Sequence, residues 1–247
     1  MRSKLDLNLT TNYSINFKLP KRTKKKIIFI ILHYTGMKNE AEALRRLCDY
    51  RSEVSSHYFI KNSGEVLKLV PDLYEAWHAG KSSWKNYKLL NKYSIGIEIS
   101  NPGHDHSYKE YKSSQISSLI KLLKYLQKKY AIKKNNILGH SDVSPDRKKD
   151  PGEKFPWQKL ASNNLCEWHD LSVNKMKKNR NLEVNFFEKK IFFKNLYKIG
   201  YSKKSKIKKK NYNIYLIKAF QRKYRQNLIN GKIDQECFLI SKNLIKT

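Results

Sequence analysis

The sequence predicts an α/β fold: a mixed central β-sheet flanked by helices, followed by a small three-helix domain. Three observations carry this. Ile27–Leu32 (IIFIIL) is a continuous β-branched and aromatic run, the pattern of a strand covered on both faces. Ser94–Ser100 (SIGIEIS) alternates, so that Ile95, Ile97 and Ile99 share one face while Gly96 and Glu98 share the other. Between Tyr108 and Tyr130 the residues Ile116, Leu119, Ile120, Leu123 and Leu126 recur with a helical period. Strands interleaved with helices make the fold α/β.

The other elements follow in order. Residues 1–22 are polar, with scattered Asn and Thr, and read as an extended N-terminal lead-in. After the Ile27–Leu32 strand, Ala43, Leu44 and Leu47 predict a helix over Asn39–Tyr50. His57–Lys61 and Glu65–Val70, joined by Asn62-Ser63-Gly64, form a hairpin. Ile137–His140 is a short strand ending in a proline-rich loop, and the domain beginning at 23 closes by 165. Residues 166–184 read as a linker, with a bare solvated helix face as the alternative for the basic stretch Leu171–Asn185. The domain at 185–247 holds three helical segments: Phe187–Ile199 closed by Gly200, Asn213–Gln226, and Asp234–Leu244. Lys203–Lys210 carries six lysines in eight residues, a self-repelling run expected to be a solvated loop.

Of 247 residues, 52 are Lys or Arg and 21 Asp or Glu, a formal net charge of +31. Such a balance invites a nucleic-acid-binding reading. The excess is spread, however: residues 1–157 hold 30 basic and 15 acidic side chains, and residues 158–247 hold 22 and six. A general compositional bias explains this better than a binding patch. Cys48, Cys166 and Cys237 are far apart and odd in number, which argues against a disulfide framework. No apolar run approaches the roughly 20 residues that span a bilayer. The short run Ile27–Leu32 lacks a cleavage pattern, so no secretory signal is read and a cytoplasmic location is expected.

Candidate chemistry begins with His33 and His140, each at the carboxyl end of a predicted strand, where α/β sheets gather their ligands. Asp150 follows His140 by ten residues in a loop fixed by Pro151 and Gly152. Two imidazoles and one carboxylate are a familiar zinc shell, with a fourth position left for water. Glu98 and Lys148 are placed to supply a base and an oxyanion-stabilising cation.

The local strings sharpen this pattern. His33-Tyr34-Thr35, Val54-Ser55-Ser56-His57-Tyr58, Ala76-Trp77-His78-Ala79-Gly80, Ser94-Ile95-Gly96-Ile97-Glu98-Ile99, Gly139-His140-Ser141-Asp142 and Arg147-Lys148-Lys149-Asp150-Pro151-Gly152 occur in that order. Together they closely resemble the zinc-dependent N-acetylmuramoyl-L-alanine amidases of the amidase-2 family, over about residues 25 to 162. The resemblance implies one Zn²⁺ per chain on His33, His140 and Asp150, with Glu98 as general base and Lys148 as oxyanion stabiliser. It implies hydrolysis of the amide joining N-acetylmuramic acid to the L-alanine of the stem peptide, in peptidoglycan or muropeptides. Trp77 and His78 are expected to line the cleft, with substrate contact and a purely structural role both open for His78; His57 is expected to be a packed strand histidine, and His104, His106 and His169 surface residues.

Ala219-Phe220-Gln221-Arg222-Lys223-Tyr224-Arg225 followed by Asn230-Gly231-Lys232-Ile233-Asp234 looks like the signature of a three-helix peptidoglycan-binding domain. Phe220 is then a core residue and Asp234 a helix cap. A wall-binding module favours the periplasm or cell wall as the alternative location. The expected partners are peptidoglycan or muropeptides, engaged by a monomer without nucleic acid or membrane span. A non-catalytic peptidoglycan-binding protein is the alternative function, and a basic nucleic-acid-binding protein the more distant one.

Overall fold

The computed structural model describes residues 9–11, 13–205 and 210–246. Its elements are β1 (Leu9–Thr11), β2 (Phe17–Lys18), β3 (Phe29–Tyr34), α1 (Glu40–Cys48), β4 (Tyr58–Ile60), β5 (Val66–Lys68), β6 (Glu75–Ala76), β7 (Ser83–Trp84), β8 (Tyr87–Lys88), β9 (Ser94–Ile99), α2 (Ser113–Tyr130), β10 (Ile137–Gly139), α3 (His140–Val143), α4 (Trp157–Ser162), α5 (Val173–Asn179), α6 (Phe186–Ile199), α7 (Tyr212–Tyr224) and α8 (Gln235–Leu244). The main sheet has the order β1-β5-β4-β9-β3-β10. Among the described residues of this sheet only β4 and β5 pair antiparallel, so the sheet is mixed.

Alternation along β3 and β9 divides the core. Ile30, Leu32, Ile95, Ile97 and Ile99 face α2, whose Ile116, Leu119, Leu123 and Leu126 cover that side. On the opposite side Phe29, Ile31 and Leu138 meet α6 to α8 through Phe192, Leu216, Phe220 and Ile240. Phe59, Leu67 and Leu69, on the same side but further along the sheet, are covered by Ala43 and Leu47 of α1. A groove opens beside α1, above the carboxyl ends of β3, β9 and β10, where His33, Glu98 and His140 line it.

Several expectations meet different structure. The lead-in at 1–22 is, over 13–22, stapled to the sheet domain. Ser14 Oγ donates to Leu47 O at 2.6 Å, Asn16 Nδ2 to Asp49 O at 2.8 Å, and Arg22 to the carbonyls of Asn91, Ser94 and Asp72. Its polar side chains serve buried backbone carbonyls, which polar composition does not distinguish from solvation. The long helix starts at Ser113 because residues before it are held elsewhere: the Tyr108 and Tyr111 hydroxyls both donate to Pro151 O, at 2.6 and 2.7 Å. The stretch read as a linker contains α5, capped by Ser172, and the buried residues Cys166 and His169. His169 stacks on Trp168, away from solvent. Phe220 is fully buried, and Asp234 caps α8 by accepting from Cys237 N at 2.9 Å. Of the lysine run, residues 206–209 lie outside those described.

Candidate active site

Strand register builds the site. In the parallel pair of β3 and β9, His33 stands opposite Glu98, both on the side away from α2. His140 follows β10, the other neighbour of β3. Asp150 returns to it because Gly139 has no side chain: a Cβ there would lie 2.7 Å from Pro151 Cδ, and Ser141 N–H donates to Asp150 O at 2.8 Å.

His33 Nδ1, His140 Nδ1 and Asp150 Oδ2 form a buried triangle with sides of 2.9, 3.0 and 3.0 Å. The outer ring nitrogens define which atoms face inward. His140 Nε2–H donates to Ala79 O at 3.2 Å. His33 Nε2–H donates to His78 Nδ1 at 3.0 Å, His78 Nε2–H to Ser94 Oγ at 3.1 Å, and Ser94 O–H to Leu90 O at 2.6 Å. Both inward nitrogens then carry lone pairs aimed at one point beside a carboxylate oxygen. Neutral donors meeting without a proton between them fit a cation, and the set matches a three-ligand site with an open position.

Electrostatics agree. Burial lowers the pKa of His33, and that of His140 to about 3, so both rings are neutral. Burial alone would raise Asp150, but the two imidazoles hold it well below the ordinary carboxylate range. Glu98 goes the other way: burial and the Asp150 charge push it well above its usual value, against the pull of Lys148. Among the described residues nothing hydrogen-bonds its buried Oε2, which is left free in the cleft.

Around these groups lies a cleft of about 440 Å³ lined by Trp77, Glu98, Arg147 and Lys148 on one side and by Arg46 and Leu47 of α1 on the other. All seven residues singled out from the sequence reach this cleft. His78, for which substrate contact and a structural role are both open from the sequence, spends both ring nitrogens on His33 and Ser94 and sits beneath Gly96, where a Cβ would lie 2.4 Å from its ring. His57 is packed as expected, with Gly96 N–H donating to its Nδ1 at 2.9 Å. His104 is engaged by Tyr34 O–H at 2.9 Å and by Glu153 at 3.0 Å. Sequence reasoning missed Ser94, Ala79 and Arg46. Arg46 stands three residues after Ala43, on the helix face that the apolar spacing already marked.

Two imidazoles and a carboxylate with an open side, next to a free carboxylate and a lysine, are the parts of a metal-dependent hydrolase. The chain belongs to the N-acetylmuramoyl-L-alanine amidase (amidase-2) family, whose sequence model matches residues 23–153. It is 32% identical over 243 residues to N-acetylmuramoyl-L-alanine amidase AmiD of Escherichia coli, covering 90% of this chain and 83% of that protein. It is 38% identical over 109 residues to 1,6-anhydro-N-acetylmuramyl-L-alanine amidase AmpD of Citrobacter freundii, covering 44% and 56%. Among solved structures, E. coli AmiD in complex with the substrate anhydro-N-acetylmuramic acid-L-Ala-D-gamma-Glu-L-Lys superposes with a TM-score of 0.78 at 31% identity, covering 93% and 92% of the two chains. AmpDh3 of Pseudomonas aeruginosa in complex with anhydromuramic pentapeptide gives the same TM-score at 27% identity, covering 93% and 95%. The likeness to both structures extends through the C-terminal helices.

Proposed function

We propose that this chain is a zinc-dependent N-acetylmuramoyl-L-alanine amidase that hydrolyses the lactyl-amide bond of muropeptides, with the ion held by His33, His140 and Asp150. The converging triangle of two lone-pair nitrogens and one carboxylate oxygen is the observation that carries the proposal. When bound, zinc supplies a Lewis acid for the carbonyl and lowers the pKa of water. The protein's own groups do the rest. Glu98 takes a proton from the attacking water and returns it to the nitrogen of L-alanine as the C–N bond breaks. Lys148, close enough for its charge to bear on Glu98 and His33, steadies the negative charge that gathers on the carbonyl oxygen. Trp77 offers an indole edge for the muramoyl or peptide portion.

The ligands named for the two related structures are anhydromuramoyl peptides, which supports the same class of substrate here. A monomer working without nucleic acid completes the reading. Among the described residues no helix is long and apolar enough to cross a membrane. The reading places the enzyme in the cytoplasm, acting on muropeptide fragments; recovery in the wall fraction on cell fractionation would overturn that location. The test of function is incubation with an anhydromuramoyl tripeptide and, separately, with intact sacculi. Free peptide beginning with L-alanine is expected from the first; binding without release from either substrate would favour the non-catalytic alternative.

A further inference from the structure

We propose that Lys223 is a positioning residue of the metal centre, brought from the C-terminal helices to hold the turn that carries His140. This rests on the reading of His33, His140 and Asp150 as metal ligands. Lys223 belongs to α7 and Asp142 to α3, and their side chains are 3% and 0% exposed. The Lys223 ammonium donates to Asp142 Oδ2 at 3.2 Å and to Ile137 O at 3.1 Å, and lies 4.5 Å from the centre of the Trp157 ring. Asp142 Oδ2 also accepts from Gly139 N–H at 2.8 Å, and its Oδ1 accepts from Tyr201 O–H at 2.8 Å. One ammonium thus grips the strand before His140 and the turn after it. Two of the carboxylate's three donors, Lys223 and Tyr201, come from the C-terminal segment.

A buried ion pair is a poor source of stability, because desolvation offsets most of the Coulombic gain and apolar residues would cover the same surface. What it adds is direction. Charged hydrogen bonds fix one placement of Gly139 and Asp142, where apolar contact would tolerate sliding. His140 lies between those two residues, so its Nδ1 is aimed by the same bonds. Burial pulls the lysine's pKa down, but Asp142 together with the neighbouring Tyr224 and Cys166 more than offsets it, and the ammonium stays charged. The C-terminal helices therefore take part in building the metal site, whatever they bind on their outer faces.

The test measures zinc affinity of the full chain by competition with a chromophoric chelator, at a temperature where circular dichroism shows each variant folded. Lys223→Met is expected to weaken zinc binding about tenfold, the lower end of what loss of an outer-shell partner costs. Should unpaired Asp142 prevent folding, the double variant Lys223→Met/Asp142→Asn removes both charges, and the same tenfold loss is expected. Zinc affinity within twofold of wild type in a folded variant, even with a lowered melting temperature, would overturn the assignment. Wild-type protein that binds no zinc would instead overturn the metal reading, and this proposal with it.

Discussion

In His78, one ring nitrogen accepts from His33 while the other donates to Ser94, so losing this ring leaves His33 free to present either tautomer to an ion. Outer-shell partners of metal-bound histidines are worth roughly 10- to 100-fold in metal affinity. His78→Leu is therefore expected to weaken zinc binding by that factor in a chelator competition, and Ser94→Ala by less, because the second bond is one step removed. Glu98 gives a prediction of opposite character. Its pKa is raised on folding, so its contribution to stability is intact below the ordinary 4.5 and is lost as pH rises toward the raised value. Metal-free Glu98→Gln is expected to melt higher than wild type at pH 7.5, with the gap closing near pH 4, while turnover falls by about 10²- to 10⁴-fold. A melting difference that grows toward acid would contradict the burial argument. At this scale the sequence was readable where a residue's position on a strand fixes its direction, as for His33 and Glu98, or where it directly follows one, as for His140. It leaves two roles open for His78, because the choice depends on a ring seated under Gly96 from a loop eighteen residues earlier.

Elements set these directions through register and close approach. Period-two alternation in Ser94–Ser100 was enough to put Glu98 on the small face of its strand, but its partner His33 follows from pairing that only the sheet defines. The start of the long helix was misplaced because the two tyrosine hydroxyls that hold the preceding segment bond to Pro151, far along the chain. The same loop depends on Gly139. A methyl group there meets Pro151 Cδ at 2.7 Å and must push Asp150 away from His140. Gly139→Ala is expected to lower zinc affinity at least tenfold with the far-ultraviolet spectrum unchanged; wild-type affinity would show that the loop can shift without moving the carboxylate.

Over the whole molecule, the sequence divides into a sheet domain, a linker and a helical appendage, but the structure joins them. Phe29, Ile31 and Leu138 on the sheet are covered by Phe192, Leu216 and Phe220 from the C-terminal helices. This was not legible because a continuous apolar strand reports that both faces are covered and not by what. A chain ending at residue 165 would expose that face. It is expected to aggregate or bind a hydrophobic dye at temperatures where the full chain is folded, and a soluble, cooperatively melting fragment would contradict the shared core. Within the charge of +31, Lys148 carries the proposed chemical task, while Arg22 and Lys223 hold buried backbone carbonyls. Everything then turns on which bond breaks and what the reaction requires. Metal-stripped and zinc-restored protein should be incubated with an anhydromuramoyl tripeptide in ¹⁸O-water, and the products weighed by mass spectrometry. The expected result is one ¹⁸O in the lactyl carboxylate of the muramic acid and an unlabelled peptide beginning with L-alanine, formed only by the zinc-restored protein. Cleavage at another bond, or equal cleavage by the metal-stripped protein, would contradict the zinc amidase reading.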